Sequence, residues 1–410
     1  MRVIKGLLDG SPSAALQLDA FSGELYADDT DGTPIELLTP NYDILKQIDY
    51  HYPVHDAYFL YASRGCIRKC HFCGVPKLEG PMRENYSITE TVKDIADLYG
   101  EKKDLIFMDN NVVASTRYKE IIAEVRDLGF TKGAKLMRKG RPLARRVDFN
   151  QGVDARILAK DRAYLREMST IAISPLRIAF DHLGLKKPYE ASIRFAHEFG
   201  LDRLSNYMLY NFHDSPSDLY ERMVLNIELN EELGIRIWSF PMRYQPTDRP
   251  DRTFVGELWT RYELRSLQII LQATRGVVSG EPDFFRHAFG PNAASFLDIL
   301  LRPYHFTFNR DWYEAGPGKP EQDAFIAEFT RLSDSQRSEL KTLLSGVDPA
   351  DFPTLKESTT DTQLKSLFPY YYLPPREIER KIWTSPVKWK LGKGLTAEEI
   401  VEDAGLMEAV

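Results

Sequence analysis

Ala57-Tyr58-Phe59-Leu60-Tyr61-Ala62-Ser63-Arg64-Gly65-Cys66-Ile67-Arg68-Lys69-Cys70-His71-Phe72-Cys73 decides how the rest of the chain is read. Its first part, Ala57–Ala62, is a short apolar run that predicts a buried strand. Its last part carries all three cysteines of the 410-residue chain. A strand that feeds directly into a thiol loop puts the thiols at its C-terminal end. Parallel α/β folds keep their reactive groups on that rim.

Short C-x3-C-x2-C spacing lets three sulfurs converge without an intervening helix or strand. Thiolates suit zinc, copper(I) or iron–sulfur clusters. Three protein ligands leave a four-coordinate or four-iron centre one position short, and that open position is where chemistry happens. A structural zinc would need a fourth ligand, which His71 or His55 could supply, although His71 lies between two ligands and turns with difficulty onto the same metal. Arg68 and Lys69 are expected to lower the thiol pKa values and offset cluster charge. Inert core cysteines would be scattered rather than gathered in one loop.

Working outward, five more strands are predicted: Asp104–Asp109, Arg146–Asn150, Leu176–Asp181, Ser205–Tyr210 and Ile235–Phe240. Helices separate them. Ile88, Val92, Ile95 and Leu98 recur at helical spacing after Ser87, as do Tyr118, Ile121, Ile122, Val125 and Leu128. Asp214-Ser215-Pro216 opens another helix with a cap and an early proline. Alternating β and α units argue for parallel strands joined by right-handed crossovers. The expected fold is α/β, a partial (β/α)6 TIM-like barrel. Residues 1–56 form a short N-terminal strand/turn segment with its clearest turn at Asp28–Gly32, residues 57–247 the barrel, and residues 248–410 a mainly helical C-terminal region. Within that last region Glu263–Ala273 and Ala324–Leu344 carry helical periodicity, and Phe368–Pro375 reads as an irregular aromatic connector.

The loop Ser63-Arg64-Gly65-Cys66 leading to Cys70-His71-Phe72-Cys73 resembles the radical S-adenosylmethionine (radical SAM) superfamily, in particular the subset associated with cobalamin-binding domains. The likeness covers roughly residues 57–247, subject to the usual error of boundaries. The resemblance implies that Cys66, Cys70 and Cys73 each bind one iron of a [4Fe–4S] cluster, and that S-adenosylmethionine (SAM) chelates the fourth. It implies reductive cleavage of SAM to a 5′-deoxyadenosyl radical and abstraction of hydrogen from a substrate that the chain does not identify, a nucleotide, a nucleic acid or a small metabolite, with a flavodoxin- or ferredoxin-like protein as one-electron donor. Phe72 would pack near the adenine, with core filling as its plain alternative. Asp109 and Asn110, after the second strand, stand where the superfamily contacts the SAM amino group, often through Gly-Gly-Glu. Helix capping is their ordinary role. Asn150, Gln151, Asp154 and Arg156 end the third strand, Asp181 the fourth, Asn211 the fifth and Arg243 the sixth, and each is a rim position open to SAM or substrate. No cysteine is left for a second cysteine-bound cluster. The stretch before the loop is short for a cobalamin module and shows no Asp-x-His-x-x-Gly segment, so none is expected.

A composition of 43% hydrophobic and 28% charged residues is that of an ordinary globular protein. Clustered thiols without a disulfide pattern, and no apolar run long enough for a bilayer, lead us to expect a reduced cytoplasmic protein with no membrane partner. The formal charge of −7 does not favour a polyanion partner. One local exception is Thr131–Arg146, where Lys132, Lys135, Arg138, Lys139, Arg141, Arg145 and Arg146 occur with no acid. Such a run suits phosphates of a nucleotide or nucleic acid, and equally a solvated loop or a set of internal salt-bridge partners. The competing functional class is a non-enzymatic zinc-binding interaction module.

Overall fold

The computed structural model describes residues 39–47, 49, 52, 54–84, 87–249, 251–273 and 276–372. The turn expected at Asp28–Gly32 lies outside the described residues.

All six expected strands form, several with shifted ends. They are β1 (Ala57–Leu60), β2 (Asp104–Phe107), β3 (Val147–Phe149), β4 (Leu176–Arg177), β5 (Arg203–Tyr210) and β6 (Arg236–Arg243). β1, β2 and β3 make one parallel sheet, and β4, β5 and β6 a second, each in chain order. The register sets Ala57 beside Asp104, Leu105 beside Val147, Leu176 beside Leu204, and Arg203 beside Arg236. Two parallel bridges, Val147 with Ile173 and Val153 with Ile178, join the sheets between β3 and β4. The architecture is therefore mixed α/β, with small parallel sheets and many helices.

Helices form where caps and periodicity coincide. Ser87 accepts from Thr89 N at 3.3 Å and starts Ile88–Tyr99, which turns Ile88, Val92 and Ile95 into the core. Pro216–Leu233 opens with a reciprocal box in which Asp218 N donates to Ser215 Oγ and Ser215 N donates to Asp218 Oδ2. Pro216 loses nothing there, because an amide at the first helical position has no intrahelical partner.

One expectation for the C-terminal region is refined and another needs correction. The run Ala324–Leu344 is helical as its periodicity predicts, but in two pieces, Lys319–Phe329 and Asp334–Gly346. Ser333 and Gln336 form a capping box that starts the second, so the local cap overrides a continuous apolar stripe. Phe368–Tyr371 is not an irregular connector but the end of a helix, Thr362–Tyr371. Pro369 sits in its last turn, where burial of Phe368 and Tyr371 offsets the missing N–H. The rest of that connector, Leu373–Pro375, lies outside the described residues.

Apolar side chains gather into two large cores. The first takes the strands, their crossover helices and the helices as far as Leu300; the second gathers Tyr262, Phe306, Phe325, Phe352, Leu367 and Tyr371 among others. His305 is buried in the second, against the Tyr313 ring at 5.3 Å. Burial alone pushes its pKa down to about 4. The folded state thus favours neutral imidazole, while the unfolded chain takes a proton near pH 6.5. The stabilisation is complete above pH 6.5 and is lost as pH falls toward 4. We expect roughly 2 kcal/mol of stability to disappear between pH 7 and pH 5. Asp109 and Asp181, both pushed up to about 6, titrate in the same window with the opposite sign, so the loss is read as the difference in urea midpoint shift between wild type and a His305→Phe variant.

The cationic run Thr131–Arg146 folds as an antiparallel hairpin of Lys135–Arg138 with Arg141–Ala144. It leads into the start of β3, so it lies at the N-terminal ends of the strands, opposite the thiol loop. Three of its cations are committed to structure there: Arg138 to Asp56, Arg145 to Glu101 and Arg146 to Asp104. Lys132, Lys135, Lys139 and Arg141 are exposed.

Candidate active site

The loop after β1 is built to turn sharply. Gly65 has φ of +75°, and a Cβ added there would lie 2.3 Å from the Pro81 carbonyl oxygen. Only glycine fits. Ser63 and Arg64 pair antiparallel with Glu84 and Arg83, and Cys66 N donates to Gly80 O at 3.4 Å. The strands of that small pairing enclose the segment that holds all three cysteines. Asp109, 2% exposed at the end of β2, anchors its entry. Its carboxylate accepts from Ala62 N at 3.0 Å, and from Ser63 N and Ser63 Oγ at 2.6 Å each. Burial pushes the Asp109 pKa up to about 6 despite those donors.

Cys66, Cys70 and Cys73 line one cavity of about 190 Å³, together with Arg68, Phe72, Asn110, Gln151, Gly152, Asp154, Arg156 and Asp181. It opens at the C-terminal ends of β1 to β4. Backbone amides already point at two sulfurs: Arg68 N donates to Cys66 Sγ at 3.3 Å and Val75 N to Cys73 Sγ at 3.4 Å. Such donors favour thiolate over thiol. Burial is the larger influence on Cys73, and burial with the nearby Asp181 charge on Cys70, so both thiols are pushed up rather than down. This corrects the expected lowering by Arg68 and Lys69. Arg68 is drawn away to Asp154, with Nε 2.7 Å from Oδ2, and Lys69 is exposed. Metal binding must therefore displace protons from this loop. Among the described residues, no three His, Cys, Asp or Glu side chains converge tightly enough to hold one metal ion together.

Asp154 caps the helix Ala155–Lys160 and binds Arg156 through Nε at 2.8 Å and Nη2 at 3.0 Å. Burial acts to raise its pKa, but hydrogen bonds from Arg156 and Arg68 outweigh burial and hold it below the ordinary value. Asp181 lies across the cavity, where burial pushes its carboxyl up to about 6 against the pull of Arg222 and Arg156. One anchored carboxylate and one more weakly held carboxylate thus flank the thiols. The loop between them is set from below: Tyr207 OH donates to Asn150 O at 2.7 Å, and the Tyr207 ring lies 3.6 Å from where a Gly152 Cβ would sit.

Of the residues expected from sequence, Cys66, Cys70, Cys73, Phe72, Asn110, Asp154 and Asp181 come together here. Asp109 underlies the loop, while Asn150 and Arg243 do not line the cavity. The Asn150 side-chain nitrogen lies 4.0 Å from Met108 Sδ, and Arg243 Nη2 donates to Phe254 O at 2.8 Å. The sequence reading missed Glu79 and Arg222. Glu79 accepts from Gly65 N, and Arg222, wholly buried, donates to the carbonyls of Phe180, Asp181 and Leu209. A charged residue on the apolar face of a helix, as Arg222 is beside Leu219 and Met223, was the available signal.

No protein-family model matches the chain, and no curated protein does. Among solved structures it is similar to the radical SAM methyltransferase TsrM from Kitasatospora setae, bound to cobalamin and a [4Fe–4S] cluster, at 12% identity and a TM-score of 0.34 over 45% of this chain. It is also similar to the cobalamin-dependent SAM radical enzyme OxsB, in a form with aqua-cobalamin and SAM at 14% identity and a TM-score of 0.37 over 96% of this chain. The apo form of OxsB gives 13% identity and a TM-score of 0.37 over 97%. The chain spans 36%, 61% and 67% of those three chains in turn. The structures it is similar to are radical SAM enzymes, and the likeness is distant.

Proposed function

We propose that the chain is a radical SAM enzyme in which Cys66, Cys70 and Cys73 hold a [4Fe–4S] cluster. The observation that carries this reading is the shared cavity: three thiols, two of them facing backbone amides, open beside Phe72, Asn110, Asp154 and Asp181 at the C-terminal ends of parallel strands. The donor set fits the group. Each sulfur takes a separate iron in such a cluster, so the three need not reach one ion. When bound, a reduced cluster supplies one electron to the sulfonium of SAM.

The protein's own residues bind and orient. Phe72 offers a ring face to the adenine, Asn110 an amide to the methionine moiety, and Asp181 a carboxylate to hydroxyl or amine donors. Arg68 and Arg156 hold Asp154 in place. Asp109 serves the cluster by anchoring the loop, and Asn150 and Arg243 support the rim from outside the cavity. In this reading the six strands form the wall of a partial (β/α)6 barrel spanning 57–247, between an N-terminal segment, 1–56, and a C-terminal region, 248–410. The substrate is one that gives up a hydrogen atom, and the electron donor is a flavodoxin- or ferredoxin-like protein.

Anaerobic reconstitution with iron and sulfide, then dithionite and SAM, tests the reading, with 5′-deoxyadenosine followed by mass spectrometry. We expect brown protein that forms the nucleoside, and none from a Cys66/Cys70/Cys73→Ala variant. Colourless protein loaded with zinc and forming no nucleoside would overturn it in favour of the zinc-binding interaction module.

A further inference from the structure

Glu79 stands just past the short helical turn Val75–Leu78 that leaves the last cysteine, and its own N–H closes that turn on Val75 O at 2.8 Å. Its Oε2 accepts from Gly65 N at 2.8 Å and from Asn110 Nδ2 at 2.9 Å, and pairs with Arg64 Nε at 3.5 Å. The carboxylate therefore ties together the residue before Cys66, the segment after Cys73 and the loop after β2. Asn110 Nδ2 also lies 3.4 Å from Gly65 O. Both neighbours of that amide nitrogen are acceptors, so Asn110 must turn its NH2 toward them. The remaining polar atom, Oδ1, is an acceptor, on a residue that lines the thiol cavity.

We infer that Glu79 is a positioning residue with two linked tasks: it closes the cysteine loop, and it fixes Asn110 so that the cavity meets an acceptor for an N–H donor, such as the ammonium of an amino-acid moiety. The second task rests on the SAM reading above; the first does not. Both need an acceptor oxygen at one point in space, not a negative charge. Glutamine can place Oε1 there, whereas leucine fills the same volume with no acceptor.

The test compares Glu79→Gln, Glu79→Leu and Asn110→Leu, each checked for wild-type urea stability. Two readouts are used: iron bound by the apo protein on anaerobic reconstitution, followed by thiolate-to-iron absorption, and calorimetric binding of S-adenosylhomocysteine to the reconstituted protein. Glu79→Leu is expected to weaken both by about tenfold or more, the scale of one well-placed hydrogen bond. Glu79→Gln should stay within about twofold of wild type in both, since it keeps the acceptor. Asn110→Leu should keep iron binding and lose S-adenosylhomocysteine. The inference is overturned if folded Glu79→Leu matches wild type in both readouts, or if Glu79→Gln is as impaired as Glu79→Leu. Should Glu79→Leu not fold, the glutamine variant and Asn110→Leu still decide it. Wild-type protein that binds iron but no S-adenosylhomocysteine would sink the SAM reading and the role given to Asn110, leaving the iron comparison to decide loop closure.

Discussion

Replacement of Arg222 by Ala is expected to cost about 3–5 kcal/mol, the usual result of removing one partner from a buried ion pair. The guanidinium is completely enclosed and donates to Asp214 Oδ2 at 2.8 Å, to Leu209 O at 2.7 Å, to Asp181 O at 3.0 Å and to Phe180 O at 3.1 Å. Its Nε reaches Asp218 O at 3.2 Å. Truncation strands a buried carboxylate and several carbonyls at once. Because two of those carbonyls belong to Phe180 and Asp181, the end of the fourth strand should loosen and carry the Asp181 carboxylate with it. Urea unfolding would report the stability, and hydrogen exchange across residues 176–183 would report the loosening. A midpoint within error of wild type would show that the network contributes nothing.

Gly65→Ala is expected to act on the site more than on the fold. The new methyl group would collide with the carbonyl oxygens of Pro81, at 2.3 Å, and Gly80, at 2.8 Å. Both are backbone atoms that no rotamer change can move aside. The positive φ adds a penalty of about 1–2 kcal/mol for any side chain. The loop must open to accept the methyl, which breaks the contact of Cys66 N with Gly80 O and of Gly65 N with Glu79. Iron bound after reconstitution should fall to a small fraction of wild type, and the three thiols should react faster with a disulfide reagent. The strands keep their own pairing, so the loss of global stability should stay near that penalty of about 1–2 kcal/mol while the site itself is lost. Full iron content in the variant would mean that the loop tolerates another path.

The sequence carried the strands and the thiol loop plainly, because both are local patterns. Ala57–Leu60 and Asp104–Phe107 are apolar runs, and Ser87 and Ser215 are caps that act within three residues of themselves. The pairings that finish the site are not local. Asp109 reaches back to Ala62 and Ser63 across the sheet, and Glu79 meets Asn110 only because the loops after β1 and β2 are neighbours in space. Asp109 and Glu79 look like ordinary acids in the chain. For Arg138, Arg145 and Arg146 the chain left phosphate contact and internal pairing both open, and it is pairing that they make, with Asp56, Glu101 and Asp104 at the far end of the sheet. Arg243 shows the limit of reasoning from strand ends. It sits at the right height, but its guanidinium goes to the Phe254 carbonyl rather than to the cavity.

One helix, Arg261–Ala273, belongs to both cores. Leu264, Leu267 and Ile270 enter the core of the sheets, while Tyr262 stacks on Tyr304 at 4.4 Å and donates to Arg302 O at 2.7 Å in the other. It works as a rivet through two plates. The distal helices cannot slide over the strands as a free lid, since any shift must either drag this helix or shear Tyr262 from its seat. Further ties lie beside it: Arg310 donates to the carbonyls of His287 and Ala288, and Arg337 pairs with Asp298, so the distal helices are held to the sheet body at several places at once.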